Sequence, residues 1–320
     1  MTPEVSVIMP VYNEEAHLEE CLRSLIGQTI PREKMEWIVV DSGSTDATPA
    51  ILERFRNKGP FLLLSNPGKP TPSSLNMAIR SAGGRYIIRM DAHSVYQRDY
   101  IARCIRCLEH TGAENAGGVC EIRGEGVLGK GFAALRSSPF GAGGADFRTA
   151  KGSGFVETVP FGAWRRELFD RIGLFNEELV RSEDNDLNQR IRASGGKIYL
   201  DADIRTVYYC RSSLRAILRS ALNNGNALFH TLRRNPGAMR LRHYVPFLFL
   251  LSVLTLGAGA PFLPVCGKLL SAELAIYFLM DLYFSLRSVR TAPVTIWLFP
   301  TFHLTYGLGS ALGMVNIRTY

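Results

Sequence analysis

The sequence is poor in cysteine, with six residues scattered through 320. Only Cys104-Ile-Arg-Cys107 forms a C-x-x-C pair, and no second pair follows at zinc-site spacing. This argues against a disulfide framework or a zinc ribbon and for packing or surface cysteines in a reducing compartment. A glycine-rich G-x-G-x-x-G loop is also missing after the first predicted strand, which disfavours a dinucleotide-binding fold. Ahead of Val5 there is neither a charged n-region nor an apolar h-region, so no cleavable signal peptide is expected. Internal repeats and low-complexity linkers are absent as well.

What is present is hydrophobic and basic. The chain is 46% hydrophobic and carries a net charge of +8, enough for one large domain plus something smaller. Such a charge suits nucleic acid, anionic lipid or a phosphorylated substrate. The basic residues are not spread evenly. Arg211, Arg215, Arg219, Arg233, Arg234, Arg240 and Arg242 crowd before a long apolar tail, a placement that fits a membrane surface and not nucleic acid. Residues 244–267 and 294–315 are uncharged stretches of the length that spans a bilayer. Residues 269–287 are apolar but hold Glu273 and Asp281, so this stretch must turn its charges to protein, water or an interface. The expectation is a membrane domain over 243–320 with two to three transmembrane helices, and a cytoplasmic domain before it. The competing reading is a buried helical core in a soluble protein.

Residues 1–210 alternate between strand and helix patterns, which predicts an α/β domain with a mostly parallel sheet and helices on both faces. Asn13 is the expected cap of the first helix, with Glu14 and Glu15 in its first turn. Residues 124–154, rich in glycine, read as a mobile loop region over the active face. Within 211–242 a basic amphipathic helix, 214–232, is expected to lie flat on the bilayer surface.

Two apolar runs each end in a carboxylate: Trp37-Ile-Val-Val-Asp41 and Tyr86-Ile-Ile-Arg-Met-Asp91. In open α/β sheets ligands bind at the carboxyl ends of the strands, so two acids delivered there suit a nucleotide, a divalent cation or both. Pro10-Val-Tyr-Asn-Glu14 follows the first strand, where a nucleotide can lie across strand ends, although a plain capped turn explains it equally. Asp41 can accept from a base or ribose and Ser44 can add a hydrogen bond; the alternative is a turn with Asp46 as helix cap. Asp91-Ala-His93 places a carboxylate and an imidazole where both could face one cation, Mg²⁺ or Mn²⁺. Glu183-Asp184 opens a helix, where acids are common for dipole reasons but one held near a reacting centre can act as general base.

Taken together, residues 1–210 resemble a family 2 glycosyltransferase with the GT-A nucleotide-diphospho-sugar transferase fold. The residues that carry the resemblance are Val7-Ile-Met-Pro-Val-Tyr-Asn-Glu14, Val39-Val-Asp-Ser-Gly-Ser-Thr-Asp46, Asn66-Pro-Gly-Lys69, Leu75-Asn76, Asp91-Ala-His93 and Glu183-Asp184. The likeness is to bacterial exopolysaccharide transferases of the ExoA type. It implies that Pro10, Tyr12, Asn13, Glu14, Asp41 and Ser44 hold uracil and ribose, and that Lys69, Asn76 and Asp91 complete the nucleotide site. Asp91 and His93 would hold the metal, His93 standing where the family commonly has a second acid. Asp184 would be the base, supported by Glu183. Position and chemistry alone add Arg190 as a diphosphate contact and Trp164 as an acceptor platform, with packing as the other reading of both.

The implied activity is inverting transfer from a nucleotide sugar, UDP-linked, to a lipid-linked (polyprenyl-diphosphate) saccharide at a bacterial-type inner membrane. A sugar transferase acting on polyprenyl phosphate is the alternative. A processive synthase is a weaker one, since Gln189-Arg-Ile-Arg192 is not the Q-x-x-R-W motif of those enzymes. A non-catalytic membrane scaffold is disfavoured by the three retained acids Asp41, Asp91 and Asp184.

Overall fold

The computed structural model describes residues 3–144, 146–149 and 152–319. In chain order the chain forms β1 (Val5–Val11), α1 (Leu18–Ile26), β2 (Met35–Asp41), α2 (Thr48–Phe55), β3 (Phe61–Ser65), α3 (Thr71–Ser81), β4 (Tyr86–Arg89) and β5 (Ser94–Tyr96). Then come α4 (Tyr100–Thr111), β6 (Asn115–Arg123), α5 (Gly126–Ser137), α6 (Pro139–Ala142), α7 (Asp146–Thr149), β7 (Gly154–Phe155), β8 (Ala163–Arg165) and α8 (Glu167–Ile172). The remainder is α9 (Glu183–Ala193), β9 (Ile198–Tyr209), α10 (Leu214–Arg234), α11 (Leu241–Gly259), α12 (Pro264–Leu286) and α13 (Ala292–Met314). These elements divide into two compact units, residues 1–121 with 146–209 and residues 122–145 with 210–320.

The first unit is built on one sheet, in the order β3-β2-β1-β4-β8-β6-β9-β5, with β7 beside β9. β1 pairs parallel with β2 and β4, and β2 with β3. From β4 outward the pairing turns antiparallel, to β8 and then β6, and β9 runs antiparallel to β5 and β7. The sheet is therefore mixed, where the βα rhythm led to a mostly parallel one. The parallel strands are buried on both faces, which is why they read as continuous apolar runs. One face packs Trp37, Tyr86 and Val39 against α1, α2 and α4; the other packs Ile8, Ile38 and Ile87 against α3, α8 and α9. Parallel register places Val11 beside Asp41 and Asp41 beside Ser65, so the chain leaves β1, β2 and β3 at one edge. β4 joins β1 in the same sense, with Ile8 beside Arg89, and delivers Asp91 to that edge.

Several sequence expectations are corrected here. Asn13 does not cap α1, which begins at Leu18. Its φ is +54°, and its carbonyl Oδ1 accepts instead from the Thr45 amide at 2.8 Å. The stretch read as a mobile loop holds α5 and α6, whose many glycines hide a helical pattern. They are required by contact: a Cβ on Gly131 would meet Val294 Cγ1 at 2.5 Å. The final strand runs over Ile198–Tyr209, and a short β5 pairs with its C-terminal part. The boundary at 210 holds for the strand, but 122–145 belong to the second unit.

In that second unit the apolar face of α10 is filled by protein and not left for lipid. Gly225 lies so close to α13 that a Cβ there would sit 2.0 Å from the Tyr306 carbonyl oxygen, and Gly309 meets Leu222 in the same way. Arg233 donates to the Gly313 and Met314 carbonyls at the end of α13, capping orphan acceptors. α13 is itself buried along Leu298, Phe299, Gly309 and Ser310. It also touches the two preceding helices. A Cβ on Gly307 would touch Pro246 and Leu250, and Tyr277 meets His303 at 2.8 Å. Among the described residues α11 and α12 are the two helices long and apolar enough to cross a membrane, and the 294–315 stretch expected to span is not one of them. At 1.5 Å per residue they reach about 28 Å and 34 Å, matching a hydrocarbon core of about 30 Å. Within α12, Glu273 accepts from Ser252 Oγ at 2.5 Å and Asp281 from Ser285 Oγ at 3.0 Å. All six cysteines are unbridged and Cys104 and Cys107 are buried, in keeping with packing.

Candidate active site

The loops after β1 and β2 are fastened to each other by short polar side chains. Asp41 Oδ1 accepts from the Ser44 amide at 2.9 Å and the Ser44 hydroxyl at 2.7 Å. Ser44 Oγ in turn accepts from the Asn13 amide at 2.9 Å. Thr48 Oγ1 accepts from the Glu14 amide at 2.8 Å, and Asp46 from the amides of Glu15 and Thr48 at 3.1 and 2.9 Å. Asp46 is thus a turn residue just ahead of α2, whose cap position is Ala47, and its pKa lies below the usual aspartate range. Burial opposes this shift, but the bonds from Thr48 and Glu15 outweigh it. Within the frame Tyr12 is 57% exposed, leaving its ring free to meet a planar base, and Pro10 is half-buried. Lys69 is exposed on the loop after β3, whose Gly68 amide donates to the Ser42 carbonyl at 3.0 Å.

Asp91 and His93 leave β4 in a tight turn closed by the Ser94 amide on the Asp91 carbonyl. The Asp91 amide donates to Tyr96 Oη at 2.6 Å. His93 does not turn to Asp91. Its Nδ1 meets Glu14 Oε1 at 2.9 Å, and its ring lies edge-on to Tyr208. Burial alone would lower the imidazole pKa, but Tyr208, Glu14 and Asp91 around it push it up to about 10. The Nδ1 bond to Glu14 leaves Nε2 as the ring nitrogen a cation would use, since a metal-bound histidine commonly has its other nitrogen on a carboxylate. Glu14 spends Oε1 on this bond.

The acid at the helix start is joined to the acid at the strand end by a residue that sequence reasoning missed. Arg89 and Asp91, two apart, share a face, and Arg89 Nε donates to Asp91 Oδ1 at 3.0 Å. Arg89 Nη1 donates to Glu183 Oε1 at 3.2 Å. The Arg89 amide is held by the Gly162 carbonyl at 3.0 Å. Only glycine serves at 162, where φ is +106° and a Cβ would strike the Trp164 ring at 2.3 Å. Glu183 is buried, which pushes its carboxyl above the usual range; Arg89 opposes the shift and Asp184 and Asp91 add to it. Asp184, in the first turn of α9, is only half-buried and accepts from the Asn185 amide at 2.8 Å. α9 begins from Ser182 with φ of +66°, a left-handed residue that costs strain of about 1–3 kcal/mol and clusters at functional sites.

Three expected site residues have other work. Asn76 is buried: its Nδ2 donates to the Phe175 carbonyl and Glu177 Oε1, and its Oδ1 accepts from the Phe175 amide at 2.9 Å. Its amide is saturated by the 175–177 loop and turns away from a nucleotide. Trp164 is 2% exposed in β8, packed on Phe169 and Phe175, and offers no platform to a sugar. Arg190 donates to Asp186 and to the carbonyls of Ile172, Gly173 and Leu174, holding the loop after α8.

Among the described residues no group of three or more His, Cys, Asp and Glu side chains could hold a metal by itself. Asp91 still fits a divalent cation of the Mg²⁺ type, which takes one or two carboxylates and completes its shell with substrate phosphates and water.

Residues 6–173 match glycosyl transferase family 2. The succinoglycan biosynthesis protein ExoA of Rhizobium meliloti is 28% identical over 243 residues, covering 75% of this chain and 73% of that one. A dolichyl N-acetyl-alpha-D-glucosaminyl phosphate 3-beta-D-2,3-diacetamido-2,3-dideoxy-beta-D-glucuronosyltransferase of Methanococcus voltae is 25% identical over 261 residues, 79% of this chain and 80% of its own. Among solved structures, the mannosyltransferase PcManGT of Pyrobaculum calidifontis, in complex with GDP-Man and Mn²⁺, superposes with a TM-score of 0.66 at 22% identity, over 98% of this chain and 88% of that one. TarS 1-349 of S. aureus with UDP-GlcNAc gives 0.55 at 18%, over 99% and 93%. At these identities the structures speak to the fold, which is GT-A. With more than half of its 320 residues inside the family match, the chain belongs to glycosyl transferase family 2 and is a glycosyltransferase.

Proposed function

We propose that the enzyme moves a sugar from a UDP-linked donor to a hydroxyl of a lipid-linked saccharide, with inversion at the anomeric carbon. The observation that carries this reading is the linked set of acids at the site. Asp41 ends β2, Asp91 follows β4, and Asp184 opens α9 beside Glu183, which Arg89 joins to Asp91. Tyr12 stacks on uracil, Asp41 accepts from the nucleoside, with Pro10, Asn13 and Ser44 shaping the loop, and Lys69 reaches the phosphates. Asp91 holds a divalent cation, Mg²⁺ or Mn²⁺, which when bound offsets the charge of the departing diphosphate.

Asp184 takes the proton from the acceptor hydroxyl as its oxygen attacks the anomeric carbon. The nucleoside diphosphate leaves from the opposite face with the bonding electrons, so an α-linked donor gives a β-glycoside. General-base help of this kind contributes roughly 10²–10⁴-fold. Support for the substrates comes from the relatives. ExoA is named for succinoglycan biosynthesis, the Methanococcus transferase for a dolichyl phosphate-linked sugar, and the TarS complex holds UDP-GlcNAc. The two apolar helices and the arginines before them support a multi-pass inner-membrane protein whose catalytic unit is cytoplasmic. There it meets an acceptor whose reactive sugar stays near the headgroups.

The test is a donor screen on the purified full chain, reading nucleoside diphosphate release with lipid-linked saccharide fractions, with polyprenyl phosphate and with neither. Release that requires the saccharide is expected. Release on polyprenyl phosphate alone would overturn the acceptor assignment, and no release from any UDP-sugar would overturn the donor assignment.

A further inference from the structure

We infer that Arg89 is a positioning residue that makes the diphosphate side of the site and the base-bearing helix one mechanical piece. The inference rests on the proposed roles of Asp91 and Asp184 and goes beyond them. Arg89 ends the apolar strand β4, 8% exposed, where an unpaired guanidinium would be costly. It is paired twice, and each bond uses a different edge of the fork: Nε to Asp91 at 3.0 Å and Nη1 to Glu183 at 3.2 Å. Those acids are 92 residues apart in sequence and belong to different elements, one just past β4 and one at the first turn of α9. Asn188 also seats α9, through Asn115 and Thr158, but the Arg89 bridge ties its first turn to Asp91.

The bridge has two consequences for chemistry. It occupies Oδ1 of Asp91, so the orientation of the carboxylate toward an incoming cation is set by a buried, rigid partner. It also pins Glu183, whose backbone carries Asp184, so the base is held at a set distance from the departing group. In-line displacement is sensitive to that distance, because a misplacement of about 1 Å costs on the order of 10²-fold. The fork geometry is what the job needs. Lysine brings one ammonium point charge on a flexible stem and cannot address two acids from two edges.

The experiment compares Arg89→Lys with Glu183→Gln, the double variant and Asp184→Asn in the full-length detergent-purified chain. It reads binding of UDP alone, binding of UDP with Mn²⁺, and kcat and KM for the acceptor. Arg89→Lys is expected to bind metal-free UDP as the parent does and to lose about 10- to 100-fold in Mn²⁺-dependent UDP binding, the usual consequence of removing a partner behind a metal ligand. Its kcat falls about 10²-fold with acceptor KM unchanged, and Glu183→Gln added to it brings less than the product of the two single losses. Parent-like Mn²⁺-dependent binding in Arg89→Lys overturns the inference. So does equal loss of metal-free and Mn²⁺-dependent binding, which marks a merely structural role. Asp184→Asn separates the two readings: if it turns over normally while Arg89→Lys still loses Mn²⁺-dependent binding, the base assignment falls and the link from Arg89 to Asp91 stands.

Discussion

Nδ1 of His93 stands 2.9 Å from Oε1 of Glu14, joining the loop after β4 to the loop after β1. Both side chains are about three-quarters buried, His93 at 26% and Glu14 at 21% exposure, so the pair is shielded from solvent on most sides. The same two residues carry the motifs that had suggested a ribose contact and a metal ligand. Their mutual bond fastens the two loops to each other.

With Asp91 proposed as the residue that holds the cation, His93→Gln is expected to loosen a loop contact and leave the metal site in place. The Mn²⁺ affinity of the UDP complex is expected to change by less than the roughly tenfold that even an outer partner of a metal ligand contributes. Titration calorimetry with UDP and Mn²⁺ decides this, and a loss far beyond tenfold would return His93 to the coordination sphere.

Asp46 ties α2 and the Glu15 loop together through its ionised carboxylate. Asp46→Ala is expected to lower stability by about 1 kcal/mol at pH 7, the usual net worth of a side-chain hydrogen bond to backbone. The folded-state pKa is depressed, so this contribution is present above the ordinary aspartate pKa of about 3.9 and fades as pH falls through the lower folded value. Unfolding midpoints of parent and variant should converge between pH 7 and pH 3; an equal gap at both would contradict the carboxylate's role.

With α11 and α12 as the membrane-crossing pair, the chain enters and leaves the bilayer on the same side. Reporters fused at residues 1 and 320 should both be cytoplasmic, and a cysteine replacing Phe262 in the turn between the two helices should label only from outside. Opposite locations for the two termini would restore α13 as a third span.

The strand-end acids were legible because parallel strands buried on both faces leave a plain trace, an apolar run that stops at Asp41 or Asp91. Asp184 was legible as an acid opening a helix. Arg89 was not, since a lone cation in an apolar run looks like a strand-edge accident until Glu183, 94 residues on, is brought to it. Trp164 and Arg190 misled for a related reason. A three-residue strand such as β8 has too little periodicity to announce itself, and once it is inserted between β4 and β6 the indole becomes core. Asn76 was on the right helix but turned toward the 175–177 loop, which only tertiary pairing reveals. The glycines of α5 and α10 weaken helical propensity, yet they permit the backbone approaches to Val294 and Tyr306 that hold the second unit together. α13 is uncharged enough to read as a span and is buried by neighbours that no local pattern names.

The central claim is that Asp184 removes the acceptor proton at a site whose nucleotide is held by other residues. Asp184→Asn keeps the shape of the side chain and removes the base. Nucleoside diphosphate release by this variant, measured with donor and lipid-linked acceptor saturating, should fall by about 10²-fold or more, while UDP binding stays at the parent value. Parent-like release from a folded Asp184→Asn protein would contradict the account.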